Sequence, residues 1–190
     1  MIVKRIEEHQ AMVNNLLYDV ELMAEVKAVI SLVVERFQSG KKLLLCGNGG
    51  SAADAQHLSA EFSGRFYINR KPLDAEALHV NTSYLTAVGN DYDFDTIYER
   101  AVEAKGHSGD VLFAMSTSGT SQNVINACQR AKAMGIICVG FTGSKESPLE
   151  ELCDHMIKVP SADTPRIQEG HMLIGHIICE LVEQEIFGEQ

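Results

Sequence analysis

KKLLLCGNGGSAADAQHLSAEF, residues 41–62, holds the change of pattern that decides the fold. Lys42–Cys46 is a short, unbroken apolar run, which suits a strand buried on both faces. Gly47-Asn48-Gly49-Gly50-Ser51 follows at once as a glycine-rich turn, and helical character runs from Ala52 to about Phe66. Upstream, apolar residues recur at three- and four-residue spacing over 2–38, which predicts two helices with a break near Leu22–Glu25 and an end at Ser39-Gly40. Downstream, Ala75–Val80 reads as a weaker strand, and 83–89 and 93–105 as helices separated by Gly89-Asn90-Asp91. Val111–Ser116, Ile136–Phe141 and Met156–Val159 read as strands. Helices are expected at about 121–134 and from Thr164 to Phe187, with Pro165 in the first turn of the last one. Strands alternating with helices predict an α/β fold with about five parallel strands covered on both faces. No linker or repeat interrupts residues 1–190, so one domain is expected. Its first 38 residues form a helical segment packed on the domain or on a neighbouring subunit.

The chain has 190 residues, 45% hydrophobic and 22% charged, ordinary proportions for one globular domain. No apolar run reaches the roughly 18 residues a bilayer span needs. The N-terminus, MIVKRIEEHQAM, lacks the apolar stretch of a signal peptide. A cytoplasmic location without membrane partners is expected. Cys46, Cys128, Cys138, Cys153 and Cys179 form no CxxC pair, so most read as small buried hydrophobes. The net charge of −10, with Lys and Arg thinly spread, argues against a nucleic-acid partner. An acidic chain can still hold an anionic metabolite through backbone N–H groups and helix N-termini.

Two loops have that character. Gly47–Ser51 and Ser116-Thr117-Ser118-Gly119-Thr120-Ser121 each join the end of a strand to the start of a helix, where open α/β sheets bind ligands. Serine or threonine there also serves as an ordinary helix cap. Five hydroxyl residues within six positions exceed what capping needs, and a phosphate-type site is expected. Neither loop carries the GK[ST] of a nucleotide-binding P-loop, and GNGG is a poor match to GxGxxG.

Together the two loops resemble the sugar isomerase (SIS) domain family. CGNGGSAADAQHLSAEFSGRF (46–66), AVGNDYDFD (87–95) and TPRIQEGHMLIGH (164–176) are similar to its phosphoheptose isomerase branch. The resemblance implies a three-layer α/β/α sandwich of the flavodoxin-like SIS type, with a central five-stranded parallel sheet plus N-terminal helices. It implies a homotetramer with sites shared between subunits. The implied reaction converts sedoheptulose 7-phosphate to D-glycero-D-manno-heptose 7-phosphate through an enediol, the first step of nucleotide-heptose biosynthesis. The resemblance also makes Glu61 the base and His176 the second acid/base. It implies one zinc ion per subunit near His57, Glu61, Gln168 and His176. Asn48, Gly49, Gly50, Ser51, Asn90 and Asp91 would hold sugar hydroxyls, with Glu61 and Gln168 also touching substrate. Ser116, Thr117, Ser118 and Ser121 would take the phosphate.

Spacing bears on part of this. His57 and Glu61, four apart, share one helix face, a spacing that can chelate metal but that on its own favours a solvated or core-edge pair. Gln168 and His176 are eight apart, about 12 Å along a helix. If both serve one ion, one of them comes from a neighbouring subunit. Asp91 alternatively caps the following helix, and Arg65 is either a charge partner at the site or half of a structural ion pair. His171 either faces the site or packs internally, and packing is favoured. Pro165 stands where some relatives carry a polar residue, with Asp163 and Thr164 adjacent. Two other readings remain. One is a non-catalytic SIS adaptor that binds the replication initiator, against which the presence of Glu61 and His176 counts. The other is an isomerase of another phosphosugar.

Overall fold

Each apolar run forms a strand of one parallel sheet in the computed structural model, which describes residues 1–188; Glu189 and Gln190 lie outside the described residues. The strands are β1 (Leu43–Gly47), β2 (Ala75–Ala77), β3 (Val111–Met115), β4 (Ile137–Thr142) and β5 (His155–Lys158). The helices are α1 (Ile2–Tyr18), α2 (Val20–Gln38), α3 (Gly50–Ser63), α4 (Thr82–Asp91), α5 (Ile97–Lys105), α6 (Gln122–Ala133) and α7 (Thr164–Phe187). Strand order is β2-β1-β3-β4-β5, with every neighbouring pair parallel.

Strand periodicity sorts the core into two layers. Leu43 and Leu45 of β1, with Val111, Phe113 and Met115 of β3, join buried residues of α1, α2, α3 and α7. Leu44 and Cys46, with Leu112 and Ala114, join those of α4, α5 and α6 on the other face. The sheet therefore has no solvent face at its centre, which is why β1, β3 and most of β4 show no polar alternation. Leu43, Leu44 and Leu45 are at most 1% exposed, so truncating one to Ala costs about 2–5 kcal/mol. Cys46, Cys128, Cys138 and Cys179 are buried as expected, and Cys153 is half-buried.

Several boundaries differ from the sequence reading. The first break falls at Asp19, whose carboxylate accepts the Leu22 N–H at 2.9 Å and caps α2. The Gly89-Asn90-Asp91 stretch completes α4, and the separation comes after it. There Asp93 caps a short 3₁₀ turn, Phe94–Thr96. Asp91 is therefore the last residue of a helix and not the cap of the next. Helix α3 stops at Ser63, before the expected Phe66, because the N–H groups of residues 66–68 bond elsewhere.

Crossovers leave β1 toward β2 and leave β3 toward β4, in opposite directions along the sheet. The crevice between the ends of β1 and β3 is thus the topological switch point, where doubly wound sheets hold ligands. The glycine-rich loop and the hydroxyl loop form its two sides.

Candidate active site

The loop after β1 is fixed by close approach. A Cβ on Gly47 would lie 2.7 Å from the Ser51 carbonyl oxygen and 2.9 Å from that of Met115, both backbone atoms. The buried Tyr98 hydroxyl donates to the Gly47 carbonyl. Asn48 and the buried Asn123 of α6 exchange side-chain amide bonds at 2.8 and 2.9 Å. Half of the Asn48 amide is therefore used in tying the two loops together, leaving one donor and one acceptor position. Gly49 caps α3 without a side-chain bond, so the first N–H groups of α3 have no side-chain acceptor from the cap.

The loop after β3 is built from hydroxyls. Ser116 Oγ accepts the Gly119 N–H at 3.1 Å and pairs with Ser121 Oγ at 3.0 Å. Ser121 occupies the N-cap position of α6 but makes no capping bond, because its oxygen is turned to Ser116. Capping thus does not explain this serine, and the α6 N-terminus keeps its anion-binding character. Ser118 Oγ lies 2.9 Å from Thr120 Oγ1 at the exposed tip. The Thr117 carbonyl accepts the Gly143 N–H at 3.2 Å, fastening the loop to the segment after β4.

Further along α3, its face toward α7 brings three groups together. His57 Nε2 stands 2.9 Å from His176 Nε2 and 3.2 Å from Glu61 Oε1. The four-residue spacing of His57 and Glu61 puts both on the face of α3 that meets α7. Gly175 permits the approach, since a Cβ there would come within 2.7 Å of the Leu58 side chain. Two imidazole nitrogens facing each other need one proton between them, or a shared cation in its place. All three ligand atoms lie within 4.8 Å of one another. Ligand atoms about 2.0–2.1 Å from a tetrahedral ion stand about 3.4 Å apart, so small shifts of these side chains would fit the donor set to a metal such as zinc. Gln168 is not in this group. Its amide lies over Gly50, where a Cβ would overlap it.

A second tier holds these groups in place. The buried Glu183 carboxylate accepts the N–H groups of Phe66, Tyr67 and Ile68 at 2.9, 2.6 and 2.8 Å, and Arg70 Nε at 2.9 Å. Burial alone would raise its pKa, but these four donors hold it below the ordinary carboxylate value. Arg70 also donates to the carbonyls of Glu61 and Phe62, at 3.0 and 2.7 Å. The Phe66 ring lies 5.8 Å from that of His176. Asp54 sits one turn before His57. One of its oxygens is buried without a partner, and burial pushes its pKa up to about 6, against the opposing pull of His57.

The remaining expected residues are dispersed. Asn90 donates to Asp91 at 2.9 Å at the exposed end of α4. Arg65 is exposed and takes part in none of the ion pairs of the described residues. His171 is buried edge-on against Phe141, with Nε2 3.1 Å from the Thr142 carbonyl, and burial pushes its pKa down to about 4. It packs internally, as favoured. Sequence reasoning missed Tyr98, Asn123, Arg70 and Glu183, which act through long-range partners that no local spacing marks.

The sequence pattern of the SIS domain family matches residues 8–143. A phosphoheptose isomerase from Burkholderia pseudomallei is 50% identical over 189 residues, covering 100% of this chain and 96% of that one. One from Aneurinibacillus thermoaerophilus is 51% identical over 172 residues, 90% of this chain and 87% of that one. Among solved structures, a phosphoheptose isomerase from Francisella tularensis superposes with a TM-score of 0.92 at 31% identity, covering 96% of each chain. Another, from Neisseria gonorrhoeae, gives 0.88 at 36% identity over 96% of this chain and 97% of that one.

Proposed function

The chain belongs to the SIS domain family, in its phosphoheptose isomerase branch, and is a sugar-phosphate isomerase; from that premise we propose that it converts sedoheptulose 7-phosphate to D-glycero-D-manno-heptose 7-phosphate. The carrying observation is the approach of His57, Glu61 and His176, in a chain whose hydroxyl loop leaves the N-cap serine of α6 without a capping bond. The phosphate rests on Ser116, Thr117, Ser118 and Ser121 and on the α6 N-terminus. Asn48, Gly49, Gly50 and Ser51 line the sugar, with Gln168 above Gly50, and Asn90 and Asp91 complete the hydroxyl contacts.

The Glu61 carboxylate removes a proton from C1 of the ketose, and the C1–C2 double bond forms as electrons move to O2. His176 delivers a proton to O2 and takes one from O1. The proton on Glu61 returns to C2, and the aldose results. His57, Glu61 and His176 form the donor set for one zinc ion, with Gln168 as a fourth ligand. An ion held there would supply Lewis-acid polarisation of the substrate carbonyl. His176 groups with His57 of its own chain while Gln168 lies elsewhere, which supports Gln168 reaching the ion of a neighbouring subunit.

The proposal includes a homotetramer of single SIS domains spanning 1–190. Exposed Ile2, Ile6 and Leu17 of α1 and Leu173, Ile177 and Leu181 of α7 support it, as an apolar surface of the kind subunit contacts cover. It also includes a cytoplasmic place in the first step of nucleotide-heptose synthesis. No helix among the described residues is long and apolar enough to cross a membrane.

The test follows sedoheptulose 7-phosphate by NMR in deuterated water, with and without a chelator. Appearance of the aldose, lost on chelation and restored by zinc, is expected. No conversion with zinc present would remove this substrate, and turnover of a different phosphosugar would replace it.

A further inference from the structure

The segment after β4 approaches the hydroxyl loop at two points. The Gly143 N–H bonds the Thr117 carbonyl at 3.2 Å, and a Cβ on Gly119 would overlap the Ser147 side chain. The three residues between these contacts, Ser144, Lys145 and Glu146, arch past the loop. The Ser144 N–H is anchored to the Ser161 carbonyl at 2.9 Å, which fixes the base of the arch. Between arch and loop lies a cavity of about 270 Å³. Its lining includes Thr117, Ser118, Thr120, Ser144, Lys145 and Thr164, the last in the first turn of α7. Asp163 stands at the N-cap of α7 but makes no side-chain capping bond.

The wall is thus rich in hydroxyls and carries one cation. Glu146 also lines it, but an ionised carboxylate only accepts hydrogen bonds and cannot hold a phosphate. Lys145 takes part in none of the ion pairs of the described residues. A phosphomonoester carries close to two negative charges near neutral pH. In a chain of net charge −10 it meets mostly neutral donors on the hydroxyl loop. A lysine is a strongly hydrated point charge on a flexible stem and can reach such a group.

We propose that Lys145 is a phosphate-binding residue of the active site, placing its ammonium group against a non-bridging phosphate oxygen of the substrate opposite Ser118. The inference rests on the reading above that the hydroxyl loop seats the phosphate. The contact is kept from Michaelis complex to product, so it acts as uniform binding and shows in KM.

The test compares wild type, Lys145→Ala and Lys145→Arg, each as full-length zinc-loaded protein. The readouts are kinetics with sedoheptulose 7-phosphate and competitive inhibition by inorganic phosphate. For Lys145→Ala, KM and the phosphate inhibition constant both rise about tenfold, and kcat stays within twofold. Lys145→Arg recovers most of the loss. Wild-type KM rises with added salt, and that slope flattens in the alanine variant. An alanine variant with unchanged KM and unchanged phosphate inhibition, in an enzyme that turns over, overturns the role of Lys145 and leaves the substrate assignment intact. Wild-type protein that neither turns over the sugar nor binds phosphate overturns the underlying reading instead.

Discussion

The two loops that flank the switch point solve the same problem by different means. The loop after β1 is shaped by backbone contact, with Gly47 wedged between two carbonyls, Tyr98 beneath it and Asn123 fastening Asn48. The loop after β3 is shaped by its own hydroxyls and leaves the N-cap serine of α6 uncommitted to the helix. The first is a wall whose side chains are largely spent on position. The second is a set of donors with capacity left for a ligand. Changes to the wall should therefore register as lost stability, and changes to the donors as weaker substrate binding.

The largest effect belongs to neither loop but to the helix that the first one aims. Glu61→Gln is expected to lower kcat by about 10³-fold, with the melting temperature nearly unchanged, because a partly exposed His–Glu pair contributes little to stability. Near-normal turnover would remove Glu61 as the base. Gly47→Ala tests the wall. The new methyl group meets backbone that cannot rotate away, and chemical denaturation should show a loss of about 3 kcal/mol. A stable variant would mean that the β1 loop yields and the contrast is false.

His171 offers a third measurement, on the layer behind the β3 loop. Burial holds its folded pKa near 4, below the unfolded value. The unfolded chain therefore binds the proton first as pH falls. Stability present above about pH 6.5 is lost toward pH 4, by about 2 kcal/mol between about pH 7.5 and pH 5. His171→Phe should flatten that part of the pH–stability profile, and an unaltered slope would assign the loss to other groups. The smallest effect sharpens the comparison. Ser118→Ala is expected to raise KM about fivefold without changing kcat or melting temperature. A fall in kcat at constant KM would make the hydroxyl a transition-state contact.

The strands and both loops were legible because their signals are local. The apolar runs of β1, β3 and β4, with GNGGS and STSGTS, each declare themselves within six residues, while β2 (Ala75–Ala77) and β5 (His155–Lys158) carry weaker signals. Helical spacing puts His57 and Glu61 on one face, but only the family resemblance singles the pair out from an ordinary solvated one. The break at Asp19 was masked, since apolar spacing continues across it and only the capping bond to Leu22 reveals the turn. Glu183 was illegible for another reason. A carboxylate late in a helix reads as solvated, yet here it is buried against three N–H groups contributed more than 110 residues earlier. Asn123 looks like an ordinary polar residue in the first turn of α6 until its partner across 75 positions is known.

Helices α3 and α7 run side by side in the same direction. Gln168 meets Gly50, Gly175 and His176 meet Leu58 and His57, and Glu183 meets the chain just beyond α3. The contacts on α7 fall seven or eight residues apart, which is two turns each. A single deletion between Gln168 and Glu183 would turn everything beyond it by about 100°, so that the amide, the imidazole and the carboxylate no longer share one side. This stretch can therefore vary in composition between descendants far more readily than in length. Gaps in it would mark chains that have given up the chemistry, even where every named residue survives.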